Sequence, residues 1–305
     1  MPNDPEISPP RYLTDIVETA MGKKSTRWTA PDCGLSSAHR FSVQLEDNSK
    51  VFVKAATDKE TGQWLRREHF VLSSMRLGFM PYVIAWIDTP GIHPVLISQD
   101  LSHAYWPASH SGVVWRDGDI DLLFSGIKKL SLQTAPPDLP ALYNRKVSIW
   151  SQIAVDPEGF LHLDLCSEAW FGRSIDALIK AERDADVTGN CLVHGDIRSD
   201  NVCFVDSKVV FVDWSHAAKG NGLHNLATIV PTLYLEGGPA PYMIMPDGGG
   251  EAATGCADHI QRLAVDRGMP VWLKRVFKQI IAIELEWAAQ CLKLDEPDGA
   301  RWRDI

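Results

Sequence analysis

Two hydrophobic patterns alternate over the first hundred residues. Apolar residues recur with helical spacing over Arg11–Met21 and again over Lys59–Leu77. Apolar and polar residues alternate with a period of two in four short runs, which predict strands at Phe41–Leu45, Val51–Ala55, Val83–Ile87 and Val95–Ser98. This part of the chain therefore predicts a small antiparallel sheet with one inserted helix, after a loose tail at residues 1–10.

The remainder of the chain has mostly helical periodicity. Helices are predicted at about 119–133, 139–153, 164–184, 223–236, 252–267 and 271–293. Two alternating runs, 201–205 and 208–212, flank Asp206-Ser207 and predict a hairpin, and the segment 237–250, rich in Gly and Pro, predicts a loop. We expect an α+β fold with an N-terminal lobe over residues 1–98 and a larger, mainly helical lobe over residues 99–305.

Composition and charge narrow the class of protein. The 305 residues are 45% hydrophobic and 23% charged, as in ordinary globular proteins. A net charge of −9 argues against tight non-specific binding of nucleic acid, and it fits either a solvated surface or a cationic partner. Trp272 and Trp287, two of the 11 tryptophans, lie at helical positions and are expected in the core.

Localisation is expected to be cytoplasmic. The six cysteines form no C-x-x-C pair, which argues against a zinc ribbon and a disulfide framework. The polar N-terminus shows no signal peptide, and the longest largely apolar run, Leu226–Leu235, is too short to span a bilayer.

The chemistry is concentrated in the segment Leu192–Asn201 and in Asp213 after the hairpin. Phosphoryl transfer from a nucleotide needs a carboxylate that accepts or orients the proton of the attacking hydroxyl, and it needs hard oxygen ligands for Mg²⁺. Asp196 suits the first role, while Asn201 and Asp213 suit the second. A hairpin between the two ligands would hold both rigidly.

The pattern H-G-D-x-x-x-x-N followed by V-D-W resembles the aminoglycoside phosphotransferase and choline kinase group, over roughly residues 30–293. The resemblance implies a bilobal protein-kinase-like fold. It also implies transfer of the γ-phosphoryl group of ATP, with GTP possible, to a hydroxyl of a small molecule in the presence of Mg²⁺. The acceptor would be an aminoglycoside-like antibiotic or an amino alcohol or sugar-like metabolite.

The same resemblance implies roles for residues outside the loop. Lys54 would hold the α- and β-phosphates and Glu68 would pair with it. Gln99 and Leu101 would contact adenine through their backbone. Ser36 and Ser37 would lie in the phosphate-covering loop, and Arg198 would neutralise charge on the transferred group.

Three positions depart from the resemblance. The loop Gly34–Arg40 holds one glycine, Gln99 stands where relatives usually have Glu, and Asn225 stands where they usually have Asp.

Each assignment has a structural alternative. Lys54 and Glu68 would then be surface charges, Arg198 would form a salt bridge with Asp200, and His194 would hold the loop from the core, which is the reading we favour for it. The acidic residues of the C-terminal helices are expected to face solvent rather than bind a polycation. The expected partner is a small hydroxylated acceptor, with no nucleic acid, membrane or obligate protein partner.

Two other functions stay open. One is a catalytically weak, kinase-like nucleotide-binding regulatory protein, which the single glycine in the phosphate-covering loop keeps in consideration. The other is a kinase-like domain that transfers a whole nucleotide.

Overall fold

The computed structural model describes residues 7–31, 37–142 and 147–305. Its strands are β1 (Ser25–Thr29), β2 (His39–Leu45), β3 (Lys50–Ala55), β4 (Val83–Ile87), β5 (Val95–Gln99), β6 (Ala108–Ser109), β7 (Gly112–Val113), β8 (Cys191–Val193), β9 (Val202–Val205), β10 (Lys208–Phe211) and β11 (Ala218–Gly220). Its helices are α1 (Arg11–Met21), α2 (Lys59–Ser74), α3 (Asp119–Leu130), α4 (Ile149–Val155), α5 (Glu158–Leu161), α6 (Glu168–Asp184), α7 (His224–Leu235), α8 (Pro241–Ile244), α9 (Gly249–Val265) and α10 (Val271–Leu292).

A five-stranded antiparallel sheet has the order β1-β2-β3-β5-β4. Strand β3 lies in the middle, with Val53 opposite Phe41 on one side and opposite Ile97 on the other. These alternate side chains are buried and form a core against which Leu13 and Val17 of α1 pack. Because side chains alternate along a strand, Lys54 points to the face opposite Val53.

Helix α2 begins at a capping box. The Asp58 carboxylate accepts a hydrogen bond from the Thr61 amide at 2.8 Å, and the Thr61 hydroxyl accepts one from the Asp58 amide at 3.1 Å. The cap fixes the start of α2 and therefore the position of Glu68, which lies two to three turns further along.

The predicted hairpin is formed by β9 and β10, with Phe211 opposite Val202. Asp206 and Ser207 both have positive φ (47° and 60°), as a two-residue turn of this kind requires. Residues Ser199–Asn201 form a 3₁₀ turn directly before β9, so the hairpin carries a functional candidate at each end.

Contacts divide the chain into two compact units: Met1–Pro140 with Leu192–Lys219, and Ala141–Cys191 with Gly220–Ile305. The first contains the sheet, α1–α3 and the β9–β10 hairpin; the second contains α4–α10. The boundary between lobes at residue 98 stays a prediction.

Tryptophans organise the interior of both units. Trp150, Trp170, Trp214 and Trp287 are fully buried, and each indole N–H donates to a backbone carbonyl at 2.8–3.1 Å. Buried indoles are satisfied in this way without a polar side-chain partner. The expectation for Trp287 is confirmed.

Trp272 was expected in the core, but 55% of its surface is exposed in the first turn of α10. The expectation is wrong because helical periodicity does not show which end of a long helix extends past its neighbours.

The predicted start of the helix before α5 is also wrong. A helix was expected from residue 139, but α4 begins at Ile149, because the Ser148 hydroxyl caps the Ser151 amide and the Glu182 carboxylate binds the amides of Ile149 and Trp150. Residues 143–146 of that prediction lie outside the described residues.

The segment 237–250, expected to be a loop, contains α8 and the start of α9. Pro241 stands at the first position of α8, where its missing N–H costs nothing. A Cβ on Gly249 would lie 2.9 Å from Leu292, so this glycine serves close packing rather than a turn.

Candidate active site

Lys54 on β3 is the centre of a buried charge cluster. Its Nζ lies 2.9 and 2.8 Å from the two carboxylate oxygens of Glu68 and 3.4 Å from Oδ1 of Asp213. The side chains of Lys54 and Glu68 are only 12% and 5% exposed. The structure therefore brings Lys54 into contact with Glu68, 14 positions further along the chain, and with Asp213, which lies another 145 positions beyond Glu68. It excludes the alternative that Lys54 and Glu68 are solvated surface charges.

Lys54 and Asp213 stabilise each other's charged forms. Burial by itself would lower the pKa of Lys54, but the carboxylates of Asp213 and Glu68 outweigh it and raise that pKa above its ordinary value. Burial opposes ionisation of Asp213 as well, yet the Lys54 ammonium and the Ser215 hydroxyl hold the pKa of Asp213 well below its usual range. Glu68 is shifted in the opposite direction: burial, together with the nearby Asp213 carboxylate, raises its pKa despite the Lys54 ammonium. The result is a charged lysine beside an ionised Asp213 and a buried Glu68 that is harder to ionise.

Asp213 has a strained backbone. Its φ and ψ are 63° and 68°, in the left-handed region that residues other than glycine rarely adopt. The Ser215 hydroxyl donates to its Oδ1 at 2.8 Å. Strain of this kind persists where the surrounding structure fixes it, and it is concentrated at functional sites.

The loop that holds Asp196 is built around His194 and Gly195. His194 is fully buried; its Nε2 donates to the Val212 carbonyl at 3.0 Å and its Nδ1 accepts from the Asp196 amide at 3.3 Å. Gly195 has φ 81°, and a Cβ there would lie 2.4 Å from the His216 carbonyl oxygen. His194 thus holds the loop from the core, as favoured from the sequence, and Gly195 permits the close approach.

Asp196, Asn201 and Arg198 are in mutual contact. Nδ2 of Asn201 donates to the backbone carbonyl and to Oδ2 of Asp196, both at 2.9 Å. Nε of Arg198 lies 3.3 Å from Oδ1 of Asp196, and its Nη2 lies 3.2 Å from Asp200. The salt bridge to Asp200 considered from the sequence is therefore present, and a second contact to Asp196 accompanies it.

The donor set fits Mg²⁺ better than a transition metal. Because Nδ2 of Asn201 faces Asp196, its Oδ1 faces away from that residue, and the contacts described for the Asp213 side chain both involve Oδ1. Mg²⁺ takes one or two protein oxygens and completes its shell with water and phosphate oxygens. Within the described ranges there is no cluster of three or more His, Cys, Asp or Glu with metal-binding geometry.

The strand β5 leads into the segment expected to contact adenine. The Gln99 amide donates to the Tyr82 carbonyl at 2.9 Å. The Leu101 carbonyl already accepts from the Ala104 amide at 2.9 Å and from Nε1 of Trp106 at 3.1 Å. The Leu101 amide donates to no residue in the described part of the chain, and Leu101 is 5% exposed.

Ser36 and Ser37 were predicted to lie in the phosphate-covering loop. Ser36 lies outside the described residues. Ser37 is exposed; its hydroxyl lies 3.4 Å from Asp58 and its carbonyl accepts from the Thr57 hydroxyl at 3.2 Å. Asn225, which departs from the resemblance, is fully buried in the first turn of α7.

Other residues support this part of the chain and were not predicted from the sequence. Ser215 holds Asp213, and Asp100, 8% exposed, accepts from the hydroxyls of Ser42 and Ser102, each at 2.5 Å. A serine two residues after an aspartate in a turn is a weak local signal. The hydrogen bond from Ser42 to Asp100 joins residues that are 58 positions apart, so no local sequence pattern predicts it.

No protein-family model matches the chain, and no curated protein matches it in sequence. Solved structures do match it in fold. A thermostable variant of the aminoglycoside phosphotransferase APH(4)-Ia, crystallised with ADP and hygromycin B, covers 92% of this chain and 95% of its own at a TM-score of 0.53 and 13% identity.

Two other groups of small-molecule kinases match similarly. A choline/ethanolamine kinase family protein from Mesorhizobium loti aligns at a TM-score of 0.53 and 12% identity, over 87% of this chain and 91% of its own. A candidate fructosamine-3-kinase from Thermobifida fusca aligns at a TM-score of 0.50 and 16% identity, over 92% and 98%.

The chain has the protein-kinase-like fold. The expected α+β class and the fold implied by the resemblance are confirmed. In this kinase-like fold the buried Lys54–Glu68 pair and the strained Asp213 belong to one of the two compact units, together with Asp196 and Asn201.

Proposed function

We propose that the protein is an ATP-dependent phosphotransferase that moves the γ-phosphoryl group to a hydroxyl of a small molecule. The observation that carries the proposal is the buried position of the Lys54 ammonium between the carboxylates of Glu68 and Asp213. A buried charge cluster is costly unless each charge is paired. Because this cluster has one cation beside two carboxylates, it would bind a further cation, and the cations together would bind an anionic ligand.

Asp196 accepts the proton of the attacking hydroxyl in this proposal. Its carboxylate is 27% exposed, so a substrate can reach it, and the amide of Asn201 fixes its direction. General-base catalysis of this kind contributes about 10²–10⁴ in rate. Arg198, beside the same carboxylate, neutralises charge that develops on the transferred group.

Lys54 holds the α- and β-phosphates, and Glu68 orients it. Oδ1 of Asn201 and the carboxylate of Asp213 would hold Mg²⁺, and the bound cation would neutralise phosphate charge and polarise the transferred group. The Leu101 amide donates to adenine, which would satisfy a buried group that has no partner among the described residues. Ser36 and Ser37 remain proposed phosphate ligands.

The acceptor class is a hydroxylated small molecule, of which an aminoglycoside-like antibiotic and an amino alcohol or sugar-like metabolite are the two options. Similarity to a phosphotransferase crystallised with hygromycin B supports the first option, and similarity to the choline/ethanolamine kinase family protein supports the second. Two acidic residues of the helical unit do not favour a polycation, because Glu251 and Glu284 already contact His224 and His259 at 3.3 and 2.8 Å.

A cytoplasmic location belongs to the same proposal. The described cysteines are all free, which fits a reducing compartment. Among the described residues, no helix is both long and apolar enough to cross a membrane.

The test is an acceptor screen with ATP, GTP and Mg²⁺, in which release of nucleoside diphosphate and the mass of the product are measured. A gain of one phosphoryl group on an acceptor, absent in the Asp196→Asn variant, is the expected result. A gain of a whole nucleotide would identify nucleotidyl transfer instead. Tight nucleotide binding without turnover on any acceptor would favour a regulatory nucleotide-binding protein.

A further inference from the structure

A basic and apolar corner lies where α9 ends and α10 begins; we define it as residues 262–278. Three apolar side chains protrude here: Val265, Val271 and Trp272 are 71%, 84% and 55% exposed. Exposed fractions this high mean that the side chains stand out from the surface rather than line a groove. Isolated exposed apolar residues are common, but an exposed tryptophan directly after an exposed valine, with a further exposed valine at the end of the preceding helix, needs an explanation.

The corner is a fixed structure. The Arg267 amide donates to the Val265 carbonyl at 3.0 Å, and the Lys274 amide donates to the Pro270 carbonyl at 3.0 Å. Met269 between them is buried, 5% exposed, and anchors the connection. The protruding side chains are therefore held outward by the backbone rather than exposed by a loose loop.

The charge of the corner is opposite to that of the whole chain. It contains one acidic residue, Asp266, and five basic residues: Arg262, Arg267, Lys274, Arg275 and Lys278. The chain as a whole carries −9. Lys274, Arg275 and Arg267 are exposed, and neither they nor Lys278 form an ion pair with any residue that the structure describes.

We propose that this corner docks on an anionic phospholipid surface. Tryptophan is favoured at the level of lipid headgroups, where its ring is buried and its N–H stays wet, and the two valines add apolar area beside it. Each Lys or Arg near an anionic bilayer strengthens binding by roughly fivefold. An acidic protein would match the charge, but a protein interface buries a tryptophan anchor in a pocket, and side chains that protrude this far suit a soft surface better.

Adsorption of this kind needs no membrane-spanning helix, and none of the described helices is long and apolar enough to cross a membrane. It revises the expectation from the sequence that the chain has no membrane partner. The proposal is independent of the proposed catalytic function, because the corner shares no residue with the candidate site.

The experiment is co-sedimentation of the full chain with vesicles of equimolar phosphatidylserine and phosphatidylcholine, compared with phosphatidylcholine alone. We expect binding to the anionic vesicles only. The double variant Lys274→Glu/Arg275→Glu should weaken this binding by at least about tenfold, and Trp272→Ala should also weaken it by about tenfold or more.

The matched control is Lys128→Glu/Lys129→Glu, which makes the same change in net charge at two exposed adjacent lysines in the last turn of α3. It should bind the anionic vesicles like the unmodified protein. Absence of binding to anionic vesicles, or an equal loss in the control, would overturn the proposal. Binding to polyglutamate but not to vesicles, lost in Lys274→Glu/Arg275→Glu, would overturn it in favour of an acidic protein partner.

Discussion

The Asp196 side chain is 27% exposed, so it can be tested without disturbing the core. The Asp196→Asn variant keeps an oxygen that can accept from the Asn201 amide and removes the charge. We expect nucleotide binding to change little and kcat to fall by about 10²–10⁴. Single-turnover assays and equilibrium nucleotide binding on the same preparation separate the two effects. Normal turnover would exclude Asp196 as the base.

The Lys54–Glu68 pair predicts non-additive kinetics. Lys54→Met removes the cation that holds the phosphates and leaves two buried carboxylates facing each other, whereas Glu68→Gln leaves a charged lysine beside Asp213. The first loss in kcat/KM for the nucleotide should be the larger. Because both act through one contact at 2.8 Å, the double variant should lose less than the sum.

A double-mutant cycle on kcat/KM measures this coupling. Arg66→Met with Asp88→Asn is a matched control, because the ion pair between Arg66 of α2 and Asp88 after β4 also has a 2.8 Å contact but its arginine is 49% exposed. Additive effects for Lys54 and Glu68 would contradict the pairing as a functional unit.

His194 predicts a pH dependence of stability. Burial lowers its pKa from 6.5 to about 4. Above pH 6.5 the residue is neutral in the folded and unfolded states and costs nothing. As pH falls from 6.5 to about 4 the unfolded chain binds a proton that the folded chain does not, so stability falls by about 1.4 kcal/mol per pH unit, or about 3 kcal/mol in all.

The measurement is urea unfolding of the wild type and of His194→Gln across this pH range. Glutamine can donate to the Val212 carbonyl and accept from the Asp196 amide without titrating, so its slope should be smaller. Carboxylates such as Asp213 also lose stabilisation as pH falls, but they do so in both proteins. Equal slopes would show that His194 does not set the pH dependence.

At the scale of elements, α3 fixes the hairpin that carries Asn201 and leads to Asp213. A Cβ on Gly126 of α3 would lie 2.1 Å from Cγ1 of Val209 on β10 and 3.3 Å from the ring of Phe211. We expect Gly126→Ala to destabilise the protein by about 1–3 kcal/mol through overpacking and to reduce kcat, because the hairpin must move.

Gly172 is the control for this prediction. It is also a helix-interior glycine, in α6, but it is exposed and no described atom lies within 4 Å of its Cβ position. Gly172→Ala should therefore be neutral or stabilise by up to about 1 kcal/mol. Thermal unfolding of the two variants compares them directly, and equal effects would mean that the close approach of α3 to β10 does not matter.

Local patterns in the sequence predicted most elements, and the physical reasons for the failures are specific. Helix α1 was predicted with its observed ends because its apolar face and the following glycine are local signals. The start of α4 was not, because it depends on Glu182, some 30 residues away. The strand β1 and the short β6–β7 pair gave no clear run of alternating residues and are formed by pairing partners.

Some residues of the candidate site could be predicted from local patterns, and others could not. Asp196, Asn201 and Asp213 could be found because the loop and the hairpin place them by local structure. That Lys54 contacts both Glu68 and Asp213 required the resemblance, since no periodicity joins β3, α2 and the end of the hairpin. The supporting contact from Ser42 to Asp100 was beyond either approach.

The whole molecule offers a final test, because ligand binding and stability are linked. A ligand that binds only the folded state stabilises it by about 2.7 kcal/mol at a hundred times its Kd. We expect ATP with Mg²⁺ to raise Tm, and ATP without Mg²⁺ to raise it less. Asp213→Ala should abolish the Mg²⁺-dependent part more completely than Asn201→Ala, because a carboxylate is the stronger ligand for a hard cation.

Thermal unfolding with and without Mg²⁺ and nucleotide, on the wild type and both variants, gives the comparison. Asp206→Asn is the matched control: it removes an exposed carboxylate at the turn of the same hairpin and keeps a residue that tolerates its φ of 47°. Its Mg²⁺-dependent shift should equal that of the wild type. A larger loss in Asn201→Ala than in Asp213→Ala would reverse the two ligand roles. An unchanged shift in both would place the cation elsewhere, and the buried Lys54–Asp213 contact would then be explained by stability alone.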